Sequence, residues 1–345
     1  MDVKQNIRLL SPDELKPFFL EIGEKGFRAK QVHEWLWKKS ALSFDDMTNL
    51  SIKTREKLKE NFSIPAVSIK SSQISSDRTI KNAFELADGN IVEGVLIPAP
   101  DRMTACISSQ VGCSLTCKFC ATGTLKRLRN IGFDEIFDQV VHIKKQAEEN
   151  YNSPLTNIVY MGMGEPLLNY KGMMQSIEKI TSPEGLGMSP KRITVSTAGI
   201  AKMIKKLGDD EVKFNLALSL HAANDKKRDH IMPINGHNSL DSLAEALKYF
   251  YDKTGTRVTF EYIVFKDFND AIEDAAELAS FAKNIPCKIN IIEYNPIDDG
   301  EFQQTTPERL DAFVQYIEDK NLVVNVRRSR GKDIDAACGQ LANKH

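Results

Sequence analysis

The spacing of apolar residues near the start of the chain follows the period of a helix. Within residues 26–39, four large side chains fall near one helical face: Phe27, Val32, Trp35 and Leu36. The charged stretch at residues 51–62 predicts another helix, and Pro65 ends it. No convincing strand interrupts this region, so we expect residues 1–65 to form a small helical accessory domain with Trp35 in its core.

A β pattern then replaces the helical one. Between Thr79 and Ile97 apolar and polar residues alternate, as they do along a half-buried strand. The middle of this stretch is Asp88-Gly89, a pair that hairpin turns favour. We therefore expect a β-hairpin here, within an extension or linker that spans residues 66–103.

From Thr104 onward, strand and helix patterns alternate. Six apolar segments predict strands: ACISS, TNIVYMGMG, RITVST, KFNLALSLH, RVTFEYIVF and KINIIEY. The helical stretches between them are clearest at residues 133–149, 240–253 and 270–283. This order predicts an α/β fold of parallel strands, either a barrel or an open doubly wound sheet. We assign residues 104–320 to this core and 321–345 to a C-terminal segment.

Composition and charge exclude few partners for this chain. The 345 residues carry a net charge of −1, so any contact with nucleic acid must come from local basic patches. Two patches qualify: Lys126, Arg127 and Arg129, and Arg327, Arg328, Arg330 and Lys332. Because the chain has neither a signal-peptide pattern nor about 20 consecutive apolar residues, we expect a cytoplasmic protein that does not enter a membrane.

Three cysteines form a tight cluster, Cys113, Cys117 and Cys120, in the order CxxxCxxC. Three thiolates from one loop can hold a [4Fe–4S] cluster, which normally takes four, and leave one iron open. An open iron can chelate S-adenosylmethionine (SAM), whose cleavage starts radical chemistry. Zinc is the alternative, but it needs a fourth ligand. The nearest downstream histidine, His142, lies within a predicted helix.

Other distinctive residues also follow the predicted strands. The cysteine loop follows ACISS, Gly162–Pro166 (GMGEP) follows IVYM, and Ser196, Ser219–His221 and Asn295 fall at three later strand ends. The carboxyl ends of parallel strands are where α/β folds collect their chemistry. GMGEP alone is typical of a tight turn, so its position after a strand is what favours a site.

These motifs resemble those of the radical SAM superfamily, and longer segments resemble the RlmN branch of the RlmN/Cfr family of RNA methyltransferases. The similarity extends over nearly the whole chain, including FRAKQ at residues 27–31. The segments that carry it are VEGVLIP (92–98), CISSQVGCSLTCKFCATG (106–123), GMGEPLLN (162–169), SLH (219–221), MPIN (232–235) and GKDIDAACGQL (331–341).

The resemblance implies a partial (β/α)6 TIM-like barrel and a specific reaction. Members methylate carbon 2 of an adenine in 23S rRNA, at the peptidyl-transferase centre, and in tRNA, 3′ to the anticodon. Two SAM molecules serve each turnover in ping-pong order. The first methylates a cysteine that matches Cys338, and the second generates the radical that links its methyl carbon to the adenine. A cysteine that matches Cys106 then releases the product through a transient disulfide with Cys338.

The resemblance also implies roles for further residues and partners. Glu93 matches a position assigned as proton acceptor, although Cys106 is an alternative for that proton. We expect a reducing electron donor such as flavodoxin, and a monomer whose helical front domain is a candidate for binding RNA. The positions that match SAM-binding residues are Gly164, Glu165, Ser196, Ser219, Leu220, His221 and Asn295.

Three alternatives stay open from the sequence. The first is a Cfr-like enzyme that methylates carbon 8, because that sister family shares the cysteines. The second is a radical SAM enzyme that acts on a peptide or small molecule, in which Cys338 is incidental. The third is an RNA-binding protein without catalysis, stabilised by zinc. Cys287 has no partner motif, and we expect it in the core.

Overall fold

The computed structural model describes residues 4–343 of the chain. Three helices precede the sheet: α1 (Pro12–Glu21), α2 (Arg28–Trp37) and α3 (Ile52–Asn61). α1 begins at Ser11, whose hydroxyl accepts the Glu14 N–H while the Glu14 carboxylate accepts the Ser11 N–H. This reciprocal capping satisfies two amides that a helix start leaves unpaired.

The front helices pack on the core through Trp37 rather than Trp35. The Trp37 ring is buried and stacks on Phe133 with centroids 5.6 Å apart. The Trp35 ring is only partly buried, and its indole N–H donates to Asn49. The expectation of Trp35 in the core is met only at the core's edge, because its half-buried ring packs against the core from outside, whereas Trp37 lies inside it.

Ten strands form one continuous sheet. In chain order they are β1 (Ser68–Ile74), β2 (Ile80–Glu85), β3 (Ile91–Ala99), β4 (Arg102–Cys106), β5 (Asn157–Tyr160), β6 (Ile193–Thr197), β7 (Asn215–Ser219), β8 (Val258–Val264), β9 (Cys287–Glu293) and β10 (Val324–Arg327). Their spatial order follows the chain from β1 at one edge to β10 at the other.

Helices alternate with the later strands. They are α4 (Phe133–Tyr151), α5 (Tyr170–Thr181), α6 (Ala201–Asp209), α7 (Asp225–Ile231), α8 (Leu240–Thr254), α9 (Ile272–Ala282) and α10 (Pro307–Glu318). No helix among residues 4–343 combines the length and apolar character needed to cross a membrane.

The strand order separates the two folds that the sequence left open. β4 to β10 are all parallel, and each new strand is added on the same side of the previous one. A doubly wound sheet reverses this order at its switch point, whereas constant winding gives the incomplete barrel that we expected. The six predicted strands are confirmed. The seventh parallel strand, β10, was missed because it is short and only partly buried.

The antiparallel strands continue the same sheet. β4 pairs antiparallel with β3 and parallel with β5, so it joins the two parts. The predicted hairpin at Asp88-Gly89 is confirmed, and Gly89 has a φ of 80°. β1 was not predicted because its side chains are almost all exposed and largely polar. The extension is therefore three strands rather than a simple hairpin.

Candidate active site

One pocket lies at the carboxyl ends of the parallel strands. Nine of the thirteen predicted site residues line it: Cys113, Cys117, Cys120, Gly164, Glu165, Ser196, Ser219, His221 and Cys338. These residues come from positions as far apart in the chain as 113 and 338, and the constant winding of the strands brings them together. The four others, Cys106, Glu93, Leu220 and Asn295, lie outside the lining.

The loop that carries the three thiols turns back tightly on itself. Gly112, with a φ of 73°, lies so close to the Lys126 carbonyl oxygen that a β-carbon would stand 2.3 Å from it. Beside it, Gln110–Val111 pairs antiparallel with Arg129–Asn130. Only glycine fits such a close approach in the left-handed region. This fold-back holds the base of the loop beside the strand ends.

The chemistry of the three thiols suits a metal centre. Burial raises the pKa of Cys117 and Cys120, and that of Cys113 to about 11. Such thiols stay neutral at pH 7 unless a bound metal stabilises the thiolate. Within residues 4–343, no three histidine, cysteine or carboxylate side chains surround a single-ion site. An iron–sulfur cube distributes its thiolates over separate irons, so three thiols from one loop suit it.

The GMGEP turn builds the next wall of the pocket. Gly164 has a φ of 94°, and a β-carbon there would stand 2.4 Å from the side chain of Gln110. The Glu165 carboxylate accepts the Ala198 N–H at 2.7 Å and the Leu167 N–H at 3.0 Å. Burial raises the pKa of Glu165, although these amides favour its charged form. Glu165 thus joins the ends of β5 and β6.

A buried arginine that the sequence did not single out fixes two further strand ends. Arg228 of α7 donates to the Ala198 carbonyl at 2.6 Å and to the Ser219 carbonyl at 3.2 Å. It also donates to the side chain of Asn235, the last residue of MPIN, at 2.6 Å. The hydroxyls of Ser196 and Ser219 lie 3.3 Å apart. The MPIN motif therefore supports the pocket through Arg228.

His221 is a neutral, strained residue on the pocket wall. Burial, reinforced by the nearby Arg228 charge, lowers its pKa to about 3. Its Nδ1 accepts the Ile263 N–H at 3.1 Å, so Nε2 carries the ring proton. Its φ of 54° is uncommon for a residue other than glycine, and such strain concentrates at functional sites. His221 is thus a hydrogen-bond donor rather than a base.

Cys338 is the exposed thiol of the pocket. Its segment is fastened to the cysteine loop, because the Ala121 N–H donates to the Gly339 carbonyl at 2.7 Å and the Thr122 hydroxyl to the Leu341 carbonyl at 2.6 Å. The Asn295 amide donates to the Cys338 carbonyl at 3.3 Å. Asn295 therefore meets the site through this segment, and its Oδ1 has no donor within the described chain.

Cys106 lies behind the pocket wall at the end of β4. Its pKa is raised to about 12, chiefly by burial and also by the neighbouring Cys338, while the Arg327 charge opposes this rise. The two thiols therefore lie close enough for the charge of Cys338 to affect the pKa of Cys106, although they are 232 positions apart in the chain. One thiol is buried and the other is open to solvent.

Arg327 is a pocket residue that sequence reasoning assigned to a phosphate-binding patch. It lines the pocket, and its guanidinium pairs with the buried Glu261 at 3.0 Å. Its position at the end of β10 was the available signal, but that strand was not predicted. Met161 and Met232 also line the pocket. Met161 directly precedes GMGEP, and Met232 is the first residue of MPIN.

Much of the predicted basic surface is already paired. Arg129 binds Asp88 and Glu135 at 2.6 and 2.7 Å. Arg328 and Lys332 both bind Glu293, at 2.7 and 3.0 Å. The exposed cations that remain in these patches are Lys126, Arg127 and Arg330.

Two of the predicted site residues are buried in the protein interior and do not line the pocket. The Leu220 side chain is fully buried, and its carbonyl accepts Arg228 Nε at 3.1 Å. The Glu93 carboxylate is buried and faces the C-terminal end of the described chain, where its Oε2 accepts the Ala342 N–H at 2.8 Å. Cys287 is half-buried against the core.

Comparisons with known proteins place this architecture in a family. Residues 5–64 match the ribosomal RNA large subunit methyltransferase N-terminal domain, and residues 107–279 match the radical SAM superfamily. The chain is 64% identical over 341 residues to a probable dual-specificity RNA methyltransferase RlmN of Cytophaga hutchinsonii, covering 99% of this chain and 93% of that protein.

More distant relatives agree. A dual-specificity RNA methyltransferase RlmN of Nitratidesulfovibrio vulgaris is 45% identical, with 96% of this chain and 93% of the relative covered. The crystal structure of a radical SAM methyltransferase from Sphaerobacter thermophilus superposes with a TM-score of 0.93 at 36% identity, covering 99% of this chain and all of the other. The chain therefore belongs to the RlmN family of dual-specificity RNA methyltransferases within the radical SAM superfamily.

Proposed function

We propose that this enzyme methylates carbon 2 of one adenine in 23S rRNA and of the adenine 3′ to the anticodon in tRNAs, through a methyl group carried on Cys338. The observation that carries the proposal is the position of Cys338. Its exposed thiol lines the same pocket as Cys113, Cys117 and Cys120. The buried thiol of Cys106 lies close enough for the charge of Cys338 to affect its pKa.

The radical SAM superfamily implies a [4Fe–4S] cluster and SAM, and the pocket offers residues that suit both. When bound, the reduced cluster supplies the electron that cleaves SAM to a 5′-deoxyadenosyl radical. The thiols of Cys113, Cys117 and Cys120 would hold the cluster. The residues that would hold SAM are Gly164, Glu165, Ser196, Ser219 and His221 on the lining, with Leu220 and Asn295 behind it.

An adenine carbon with no lone pair cannot attack an ordinary methylsulfonium, so the methyl group needs a carrier that can be activated. In the proposal Cys338 takes the methyl group from one SAM. The methyl group on Cys338 then gives up one hydrogen atom to the radical formed from a second SAM, and its carbon bonds to carbon 2 of the adenine. The ring carbon loses its proton, one electron would return to the cluster, and the Cys106 thiolate attacks the Cys338 sulfur. The bond between that sulfur and the carrier carbon breaks, the carbon takes up a proton, and the electron donor reduces the Cys106–Cys338 disulfide before the next turnover. Two SAM molecules are therefore used per turnover, one as methyl donor and one as radical source.

The helical front of the chain has a proposed role as well. We assign residues 1–65 as the RNA-binding accessory domain, with Lys126 and Arg127 as exposed contacts for phosphates. Phosphate contacts hold an RNA in place without reading its sequence. A reducing protein such as flavodoxin is the proposed electron donor to a monomeric enzyme.

Nucleoside mass spectrometry tests the proposed position of methylation. RNA from a strain that lacks this gene should contain no 2-methyladenosine, and the plasmid-borne gene should restore it in both the 23S rRNA and tRNA fractions. Restoration of 8-methyladenosine would contradict the proposal in favour of carbon 8. A strain expressing the Cys338→Ala variant serves as the matched control and should restore neither nucleoside.

A further inference from the structure

Residues 331–343, which we call the strap, carry the C-terminal cysteine between two anchors on the antiparallel strands. At the first anchor Asp77 accepts the Gly331 N–H at 2.9 Å. In return, Asp333 accepts the Ser76 N–H at 2.9 Å. Carboxylates that accept backbone amides form strong, charge-assisted hydrogen bonds. The turn between β1 and β2 thus grips the beginning of the strap.

The second anchor is Glu93 on β3. Its Oε2 accepts the N–H groups of Ala342 and Asn343, at 2.8 and 3.1 Å. The Asn343 side chain adds a hydrogen bond to the Ile91 carbonyl at 2.9 Å. Glu93 therefore holds the end of the strap through its Oε2.

The charge of Glu93 is balanced by a buried lysine. Lys81 Nζ lies 3.6 Å from Glu93 Oε1, with the two side chains only 6% and 1% exposed. Glu93 Oε1 receives no hydrogen bond from the described residues. A buried carboxylate is costly without a compensating charge, and removing one partner of a buried pair leaves the other uncompensated. Lys81 is the compensating charge for Glu93 here.

The register of the sheet sets this ion pair beside the second thiol. Lys81 on β2 lies opposite Val95 on β3, and Val95 lies opposite Cys106 on β4. Directly paired residues share one face of a sheet, as do residues two apart on one strand. Lys81, Glu93 and Cys106 therefore point to the same side.

We propose that Lys81 and Glu93 are positioning residues that seat the strap and keep the sulfur of Cys338 within reach of Cys106. The inference rests on the proposed function, because only a relay between the two thiols requires that reach. It assigns Lys81 a part in the reaction, and it gives Glu93 a role other than that of proton acceptor.

Three variants distinguish a role of Glu93 in positioning the strap from a role in accepting a proton. Lys81→Met and Glu93→Ala each remove half of the ion pair. The double variant Lys81→Met/Glu93→Gln removes both charges but keeps an amide oxygen that can accept the strap N–H groups. The matched control is Lys70→Met, because Lys70 on β1 pairs with Glu85 on β2 at an exposed site of the same antiparallel sheet, 4.0 Å apart.

Hydrogen exchange of the apo protein and coupling of the loaded enzyme are the two readouts. In Lys81→Met and Glu93→Ala, exchange at the Ala342 and Asn343 amides should rise at least about tenfold, the effect of weakening a charge-assisted hydrogen bond. The 5′-deoxyadenosine formed per methylated adenine should rise several-fold. The double variant should return both values to within about twofold of wild type, as should Lys70→Met.

Each contrary result has a defined meaning. If the double variant keeps the strap protected but methylates no RNA, Glu93 is the proton acceptor and the inference is wrong. Unchanged exchange in Lys81→Met and Glu93→Ala also overturns it. If the wild type never carries S-methylcysteine at position 338, the proposed function fails, and this result is distinct because the exchange data do not depend on it.

Discussion

The parallel and the antiparallel strands contribute to the site in different ways. At the carboxyl ends of the parallel strands, the pocket is shaped by close backbone approaches at Gly112 and Gly164 and by the buried side chains of Glu165 and Arg228, which bind backbone groups of neighbouring strand ends. At the antiparallel edge, charged side chains hold a C-terminal strap. Under the proposed function, SAM cleavage would depend on the parallel strands and methyl transfer through Cys338 on the antiparallel ones as well, so the two steps should fail separately.

The largest expected effect comes from the parallel side. Replacing Cys113, Cys117 or Cys120 by alanine should abolish SAM cleavage, because two thiolates on the loop do not replace three in holding a cluster with one open iron. Cleavage is measured as 5′-deoxyadenosine formed by anaerobically reconstituted protein. The fold should persist, as judged by circular dichroism. Cleavage at the wild-type rate in any one variant would separate this loop from the cluster.

The next effect should leave SAM cleavage intact and stop turnover. Cys106→Ala removes the thiol proposed to release the product, so the variant should be isolated with covalently bound RNA. That RNA should survive denaturation and disappear after nuclease treatment. The double variant Cys106→Ala/Cys338→Ala is the control and should carry none. Normal multiple turnover by Cys106→Ala would remove Cys106 from the relay.

A smaller effect concerns the reactivity of the two thiols in the metal-free protein. Burial raises the pKa of Cys106 to about 12, and free cysteine titrates near 8.5. At pH 7 Cys106 should therefore have roughly three-thousandfold less thiolate than a free cysteine and resist iodoacetamide, whereas the exposed Cys338 should react. Because the thiolate is the reactive form, labelling of Cys106 should rise about tenfold per pH unit.

Labelling should be followed by peptide mass spectrometry between pH 7 and 9, where the unfolded protein gives the reference rate for both positions. Equal labelling of Cys106 and Cys338 in the folded protein would contradict the contrast between a buried and an exposed thiol.

The sequence predicted the parallel side well, for physical reasons. Strands buried on both faces appear as apolar runs, so the six segments from ACISS to KINIIEY were recognisable, and the site residues follow them. The tight turns were also visible, because glycines at positions such as 164 meet a local demand of the backbone.

The antiparallel edge was much less predictable. β1 is almost entirely exposed and largely polar, so it does not show the apolar run of a buried strand. Lys81 and Glu93 are ordinary residues of a hairpin pattern until the strap folds over them. The hydrogen-bond partners of Glu93, Ala342 and Asn343, lie about 250 positions away and reach its carboxylate only through backbone N–H groups, which no side-chain pattern reveals.

The most direct test of the account follows a labelled methyl group through Cys338. Wild-type enzyme should be mixed first with methyl-deuterated SAM in the absence of RNA, and the peptide that contains Cys338 examined by mass spectrometry. We predict a deuterated methyl group on that sulfur, followed by transfer of its carbon, with two of its three deuterons retained, to RNA when RNA and unlabelled SAM are added. Methylated RNA whose first-turnover carbon comes only from the unlabelled SAM would contradict the account.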